Sequence, residues 1–219
     1  ARYPDTPLLI VHGAGSFGHP QAKTWKIQEG VGRENRKGIF ETHEVVSELN
    51  RAVVAALRTT GIEAVSIHPL HGLEAADGRL LDHPSGHLDR MIGLGMVPVI
   101  HGDVVMDQVR GACIVSGDQL IRVLATGLKM ERVGLATDVP GLLAEDGSVV
   151  RELRRSTAHQ VRIGTSGTID VTGGMEGKIA ELLSLADTGI QSEIFHITQI
   201  GAFLAGTDHG GTRIRPEGA

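Results

Sequence analysis

The segment best equipped for chemistry is Gly13-Ala14-Gly15-Ser16-Phe17-Gly18-His19. It follows an apolar run, Leu8-Leu9-Ile10-Val11-His12, that reads as a buried strand. A glycine-rich turn leaving such a strand can bring backbone N–H groups close to a phosphate, because no Cβ blocks the approach. His19 would add a side-chain donor at the exit of the turn. The same residues also suit an ordinary strand-to-helix turn. No Walker A pattern G-x-x-x-x-G-K-[ST] occurs in the chain. Gly13, Gly15 and Gly18 match the G-x-G-x-x-G spacing, yet no acidic residue ends a second strand about 20 residues on, as a dinucleotide site requires.

Four further segments carry polar groups where ligands of open α/β sheets gather. Pro98-Val99-Ile100-His101-Gly102-Asp103 ends a strand in Gly-Asp, or in a plain β-turn. In Ser116-Gly117-Asp118-Gln119, Ser116 can cap a following helix and Asp118 suits its first turn. The functional alternative has Gly117 facing a phosphate and Asp118 holding a lysine in place. Ala136-Thr137-Asp138-Val139-Pro140-Gly141 offers nucleotide contacts, or a Pro-Gly turn. Asp170-Val171-Thr172-Gly173-Gly174-Met175-Glu176-Gly177-Lys178 opens a helix whose free N–H groups, with Lys178 one turn in, suit phosphates. A solvated surface lysine is the plain alternative.

These segments need a scaffold, and the chain alternates strands with helices. Strands are expected over 8–12, 63–67, 97–101, 132–136 and 192–197, and helices over 41–60, 84–94, 117–128 and 174–188. Val45, Leu49, Val53 and Leu57 recur at four-residue steps and predict one apolar helix face. Residues 72–82 and 103–115 each read as strand, turn, strand. The alternation implies an α/β fold with a mainly parallel sheet covered on both faces. Any internal boundary is expected near residues 140–150.

With 219 residues, 41% of them hydrophobic, the chain can bury a sizeable core. A net charge of -5 argues against nucleic acid or a membrane surface as the main partner. No apolar run reaches membrane-spanning length. The single Cys113 excludes an internal disulfide and fits a reducing cytoplasm; its apolar neighbours read it as a buried thiol. The chain opens on Ala1-Arg2-Tyr3-Pro4 and enters its first strand almost at once, so further residues are expected to precede it.

Taken in order, HGAGSFGH, GD after a strand, SGDQL, ATDVPG and DVTGGMEGK resemble the amino-acid kinase superfamily, and within it the isopentenyl phosphate kinases. The resemblance runs from about Leu8 to Ile214, and Phe-Gly-His closing the glycine segment is the mark that singles out that branch. It implies a single domain with a three-layer αβα sandwich, a homodimer and cytoplasmic location. It implies transfer of the ATP γ-phosphate to isopentenyl phosphate, with Mg²⁺ held mainly by the nucleotide phosphates and no metal site on the protein itself. By position, Ala14, His19 and Gly117 would contact the acceptor phosphate. Gly15, Asp138, Gly174 and Lys178 would contact ATP, and Asp118 would orient catalytic lysines. An apolar tail pocket is implied, with Phe40, Val45 and Ile100 as candidate lining or plain core. The family begins with a Lys-x-Gly-Gly-Ser turn, and nothing like it precedes Leu8. That turn is expected in the missing front, and Lys23 and Lys26 are not assumed to replace it.

Three other readings are weighed at this level: another kinase, a non-catalytic subunit and a metal site. A kinase of the same fold acting on another small phosphate or phosphonate, of the fosfomycin type, would share these motifs. A non-catalytic nucleotide-binding subunit would account for the absent lysine turn. His83 and His87 stand four apart as on a zinc-binding helix, but Pro84 and Gly86 lie between them and no H-E-x-x-H occurs.

Overall fold

A computed structural model describes residues 6–81, 85–159 and 174–218. They fall into two compact units, Ala1–Leu128 and Lys129–Ala219. The division comes ahead of the 140–150 stretch, at Lys129, which turns the chain in the left-handed region (φ 52°).

In chain order the first unit contains β1 (Ile10–His12), α1 (Gly15–Thr24), α2 (Lys37–Thr59), β2 (Ala64–Ile67), β3 (Glu74–Ala76), β4 (Arg79–Leu80), α3 (Gly86–Gly93), β5 (Val97–His101), β6 (Asp103–Asp107), β7 (Gly111–Val115) and α4 (Gly117–Gly127). β1, β5 and β2 form a parallel sheet in that order, with His12 opposite His101. Side chains alternate across it. Ile10 and Val99 pack with Val53, Val54 and Leu57 of α2, whereas Val11 and Ile100 pack with Leu88 of α3 and Leu120 and Leu124 of α4. Helices therefore cover both faces, the layering that parallel strands require.

The buried stripe of α2 is Thr42, Val46, Asn50 and Val54, one residue along from the predicted Val45 face. The sheet end of the helix is apolar, but further along the same stripe Asn50 is fully buried among polar partners. Apolar spacing alone could not register a polar residue on the inward face.

The two hairpins read from the sequence are present and join as a second sheet, β4-β3-β6-β7. Asp107 ties them together. Its carboxylate accepts the N–H groups of Asp77 (3.1 Å), Gly78 (2.7 Å), Val109 (2.8 Å) and Arg110 (2.8 Å). Burial alone would raise the Asp107 pKa, but the N–H donors of Arg110, Gly78 and Val109 hold it far below the usual carboxylate range. Cys113 lies buried beside it, and burial together with the Asp107 charge pushes the thiol up to about 12.

The second unit contains β8 (Arg132–Thr137), β9 (Glu152–Leu153), α5 (Arg155–Ala158), α6 (Gly174–Ala186), β10 (Gln191–His196), α7 (Ile200–Leu204) and β11 (Thr212–Ile214). Its sheet runs β8-β10-β11-β9, with β8 and β10 parallel and β11 antiparallel to β10. No described helix in either unit is long and apolar enough to cross a membrane.

A carboxylate is buried in the sheet of this second unit. Glu193 on β10 accepts from Arg132 on β8 (2.9 Å) and from Gln191 (3.1 Å), and it faces His209 Nε2 at 2.5 Å. His209 Nδ1 accepts the Gly211 N–H at 3.0 Å, so its Nε2 carries the proton and donates to Glu193. Burial opposes ionisation of Glu193, but the bonds from His209 and Arg132 outweigh it and lower the pKa. A depressed carboxylate stabilises above its unfolded value, near 4.5, and that stability is lost as pH falls through the lower folded value. Glu193→Gln is expected to cost about 3 kcal/mol at neutral pH. It should also reduce the loss of stability below about pH 4.5. Urea midpoints followed by circular dichroism across that range check both; parallel acid profiles for wild type and variant would contradict the assignment.

Candidate functional site

β1 passes into α1 through only Gly13 and Ala14. The helix begins at Gly15, which adopts φ 53°, and its first turn closes with the Phe17 N–H donating to Ala14 O (3.1 Å). The glycine segment is thus a two-residue turn, and His19 stands on the helix rather than at the exit of a loop. Gly18 has a packing task. A Cβ there would lie 2.6 Å from Val46 Cγ1 and 3.0 Å from Ala14 Cβ, so only glycine lets α1 settle against α2. His19 follows it, half-buried.

α4 starts beside the same turn. Ser116 caps it as its sequence predicts, accepting the Gln119 N–H at 3.2 Å, and Asp118 is in the first turn, half-buried. A Cβ on Gly117 would lie 3.5 Å from His12 O and 3.6 Å from Gly13 N. One on Gly102 would lie 3.4 Å from Gly117 N and 3.6 Å from Ala14 N. Three chain turns therefore meet here with no side chain between them. The N-terminal ends of two helices begin side by side, each bringing backbone amides and a partial positive charge. Ala14 and Gly117 meet here, Gly15 starts the helix that leaves the first turn, and His19 and Asp118 stand on α1 and α4, the helices that begin at it.

The other three sequence candidates belong to the second unit. Asp138 follows β8 and is exposed. Gly174 opens α6, with Lys178 half-buried one turn in. A tight turn joins α6 to β10, so the helix runs back along the strand. The N-terminal end of α6 thus shares the carboxyl edge of the sheet with Asp138. Asp170, Val171, Thr172 and Gly173 lie outside the described residues, as do His83 and Pro84. No set of three or more His, Cys, Asp or Glu side chains among the described residues is arranged to hold a metal ion. Of the tail-pocket candidates, Ile100 is wholly buried on the α3/α4 face of the sheet and is core, Val45 is half-buried, and Phe40 is 55% exposed on α2.

Sequence reasoning missed a polar cluster beneath the glycine turns. His12 Nδ1 lies 2.9 Å from Gly13 O and its Nε2 lies 3.1 Å from Asn50 Oδ1. Asn50 Nδ2 donates to Ser66 Oγ at 2.5 Å, and Ser66 Oγ lies 2.9 Å from His68 Nε2. His68 Nδ1 lies 3.0 Å from His101 Nε2, and His101 Nδ1 lies 3.0 Å from Gly102 O. Alongside it, His43 donates through Nδ1 to the buried Asp103 (2.8 Å). That bond raises the His43 pKa, and it engages the carboxylate of the Gly-Asp segment. The sequence does carry a signal: the neighbouring strands β1 and β5 end on His12 and His101, and His68 immediately follows β2.

The amino acid kinase family model matches residues 1–196. The isopentenyl phosphate kinase of Haloferax volcanii is 40% identical over 211 residues, 96% of this chain and 83% of that protein. That of Methanothermobacter thermautotrophicus is 40% identical, over 94% of this chain and 84% of its own. A solved structure of an isopentenyl phosphate kinase matches with a TM-score of 0.82 at 37% identity, over 94% of this chain and 83% of that one.

Proposed function

The chain belongs to the amino acid kinase family and, within it, to the isopentenyl phosphate kinases, and from that premise we propose that it transfers the γ-phosphate of ATP to isopentenyl phosphate, giving isopentenyl diphosphate and ADP. The observation that carries the reading is the meeting of Gly13-Ala14, Gly102 and Gly117 at two helix N-termini, with His19 on one of them. Bare amides at helix ends are the natural receptor for a phosphate.

The acceptor oxygen is already anionic, so no strong general base is needed. The task is to align two polyanions and to stabilise charge on the moving phosphoryl group. In this reading Ala14, Gly117 and His19 hold the acceptor phosphate, His19 by donating a hydrogen bond. Gly15, Asp138, Gly174 and Lys178 contact ATP, and Asp118 orients lysine. N–H groups and lysine repel a cation, so Mg²⁺ would be held mainly by the oxygens of the nucleotide, and it would supply neutralisation of phosphate charge there. A homodimer in the cytoplasm completes the reading, and a single, unreactive thiol suits that compartment.

Incubating the full-length protein with Mg-ATP and isopentenyl phosphate, with mass-spectrometric detection, tests this directly. Isopentenyl diphosphate is expected well above the product formed with fosfomycin or uridylate as acceptor. Equal or greater turnover of either control would move the acceptor assignment elsewhere.

A further inference from the structure

The polar string under the glycine turns has an unusual proton count. It runs from Gly13 O through His12, Asn50, Ser66, His68 and His101 to Gly102 O. Both ends are carbonyl oxygens, which only accept. Between them stand five side chains, each of which in its neutral form gives one bond along the string and takes one; Ser47, its Oγ 3.3 Å from both His68 Nδ1 and His43 Nε2, branches from it with two further links and a single donor, and so adds no spare proton. Such a string is one donor short. His101 must donate to Gly102 O, so its Nε2 accepts from His68. His68 then accepts from Ser66, Ser66 from Asn50, and Asn50 through Oδ1 from His12. His12 must therefore donate twice, to Asn50 and to Gly13 O. Turning the Asn50 amide over only moves the shortage to His68 or His101. Wherever it resides, filling every link takes one extra proton from solvent.

We propose that this string is a one-proton store that positions the acceptor site: its fully bonded, singly cationic form fixes the Gly13 and Gly102 peptides and places a positive charge behind the acceptor phosphate. The proposal rests on the function argued above. The location is apt, because the two peptides it grips are those that meet Gly117 and Ala14. Asn50 and His101 are fully buried, so a link left unfilled at either has no water to replace it, whereas the His12–Gly13 end is open to solvent, where a proton can enter. Burial holds His101 at about 4, which keeps that ring neutral and sends the added proton elsewhere along the string. His68 is lowered chiefly by burial and then by the charges of His43 and His71. The charged and titratable groups facing the string are His43 and Arg51 from α2, His71 from the turn after β2, and Asp103 from β6. His12, Asn50, Ser66, His68 and His101 are thus positioning residues, acting through the backbone of two turns.

Ser66 is the link to cut. In Ser66→Ala, Asn50 is free to turn over and donate to His12, and every remaining bond is filled by neutral side chains. Ser66→Thr keeps the hydroxyl and suits a strand. Nitrogen spectra of labelled histidine rings, recorded on the full-length protein near neutral pH, count doubly protonated rings. Wild type and Ser66→Thr are expected to show one more than Ser66→Ala. The sign in function follows: the cation is present at low pH and lost as pH rises. Between about pH 6 and about pH 9, KM for isopentenyl phosphate is expected to rise about tenfold more in wild type than in Ser66→Ala, with similar kcat. Titration of the substrate itself is common to both and cancels. Equal ring protonation in the two proteins, or superimposable KM profiles, overturns the proposal. Should Ser66→Ala fail to fold, a wild-type spectrum with no doubly protonated ring beyond His43 overturns it equally. If wild type makes no isopentenyl diphosphate, the acceptor assignment fails, while the ring spectra still decide the string.

Discussion

Replacing His19 by alanine is expected to lower kcat/KM for isopentenyl phosphate by about two to three orders of magnitude while leaving the fold intact. The size follows from losing a preorganised donor to a phosphoryl group in a site built to stabilise charge. The intact fold follows from its place. His19 is half-buried on α1, and the seating of that helix depends on Gly18 against Val46 rather than on the imidazole. His19→Asn, which keeps a donor at similar reach, should recover part of the loss. Kinetics on the two variants with circular dichroism alongside decide the matter. Near-normal turnover by the alanine variant would remove His19 from the site.

The second large effect concerns stability, and it lies in the second unit. A Cβ on Gly211 would come within 2.0 Å of Ile194 O, 2.9 Å of His209 Nδ1 and 3.0 Å of Pro140 O. Two of these are backbone atoms, and Ile194 is fully buried in the middle of β10, so no flexible side chain can give way. Gly211→Ala should therefore destabilise by about 3 kcal/mol, at the upper end of overpacking costs. It would also displace the N–H that fixes the tautomer of His209, and so loosen the partner of Glu193. Amide exchange in β10 and β11 is the direct measurement. The single Trp25 reports on the first unit separately by fluorescence. Unchanged protection in β10 would mean that the close approach is relieved in solution.

How much of this could be read from the sequence depended on whether the information was local. Val97–His101 stands out because a buried strand between two helices is a nearly continuous apolar run, and in Gln191–His196 the signal narrows to Ile194-Phe195. The cap at Ser116 is equally local, a hydroxyl three residues before the amide it accepts. α1 escaped notice because Gly15, Gly18 and Pro20 give it the composition of a loop; it forms where α2 offers a surface for Gly18. β11 escaped because only three residues separate Gly211 from Arg215. The glycine segment leaves β1 as its sequence suggests, but composition does not reveal which glycine turns the chain and which admits a neighbour. The histidine string depended on register. His12 meets His101 only because β1 and β5 pair at that offset, and Asn50 joins them only because α2 presents it to the same face. None of these distances is encoded within a single segment.

α2 touches both halves of the proposed acceptor site within one helical turn. Val46 receives Gly18 and so sets the height of the helix bearing His19, while Asn50 joins the string that grips the turn at its base. Any change that shifts α2 along its axis therefore acts on the donor and on the amides together. The route from one acceptor to another through this helix is accordingly epistatic: a substitution at Val46 alters the effect of a later one at Asn50, and the order in which they arise decides which intermediates remain active.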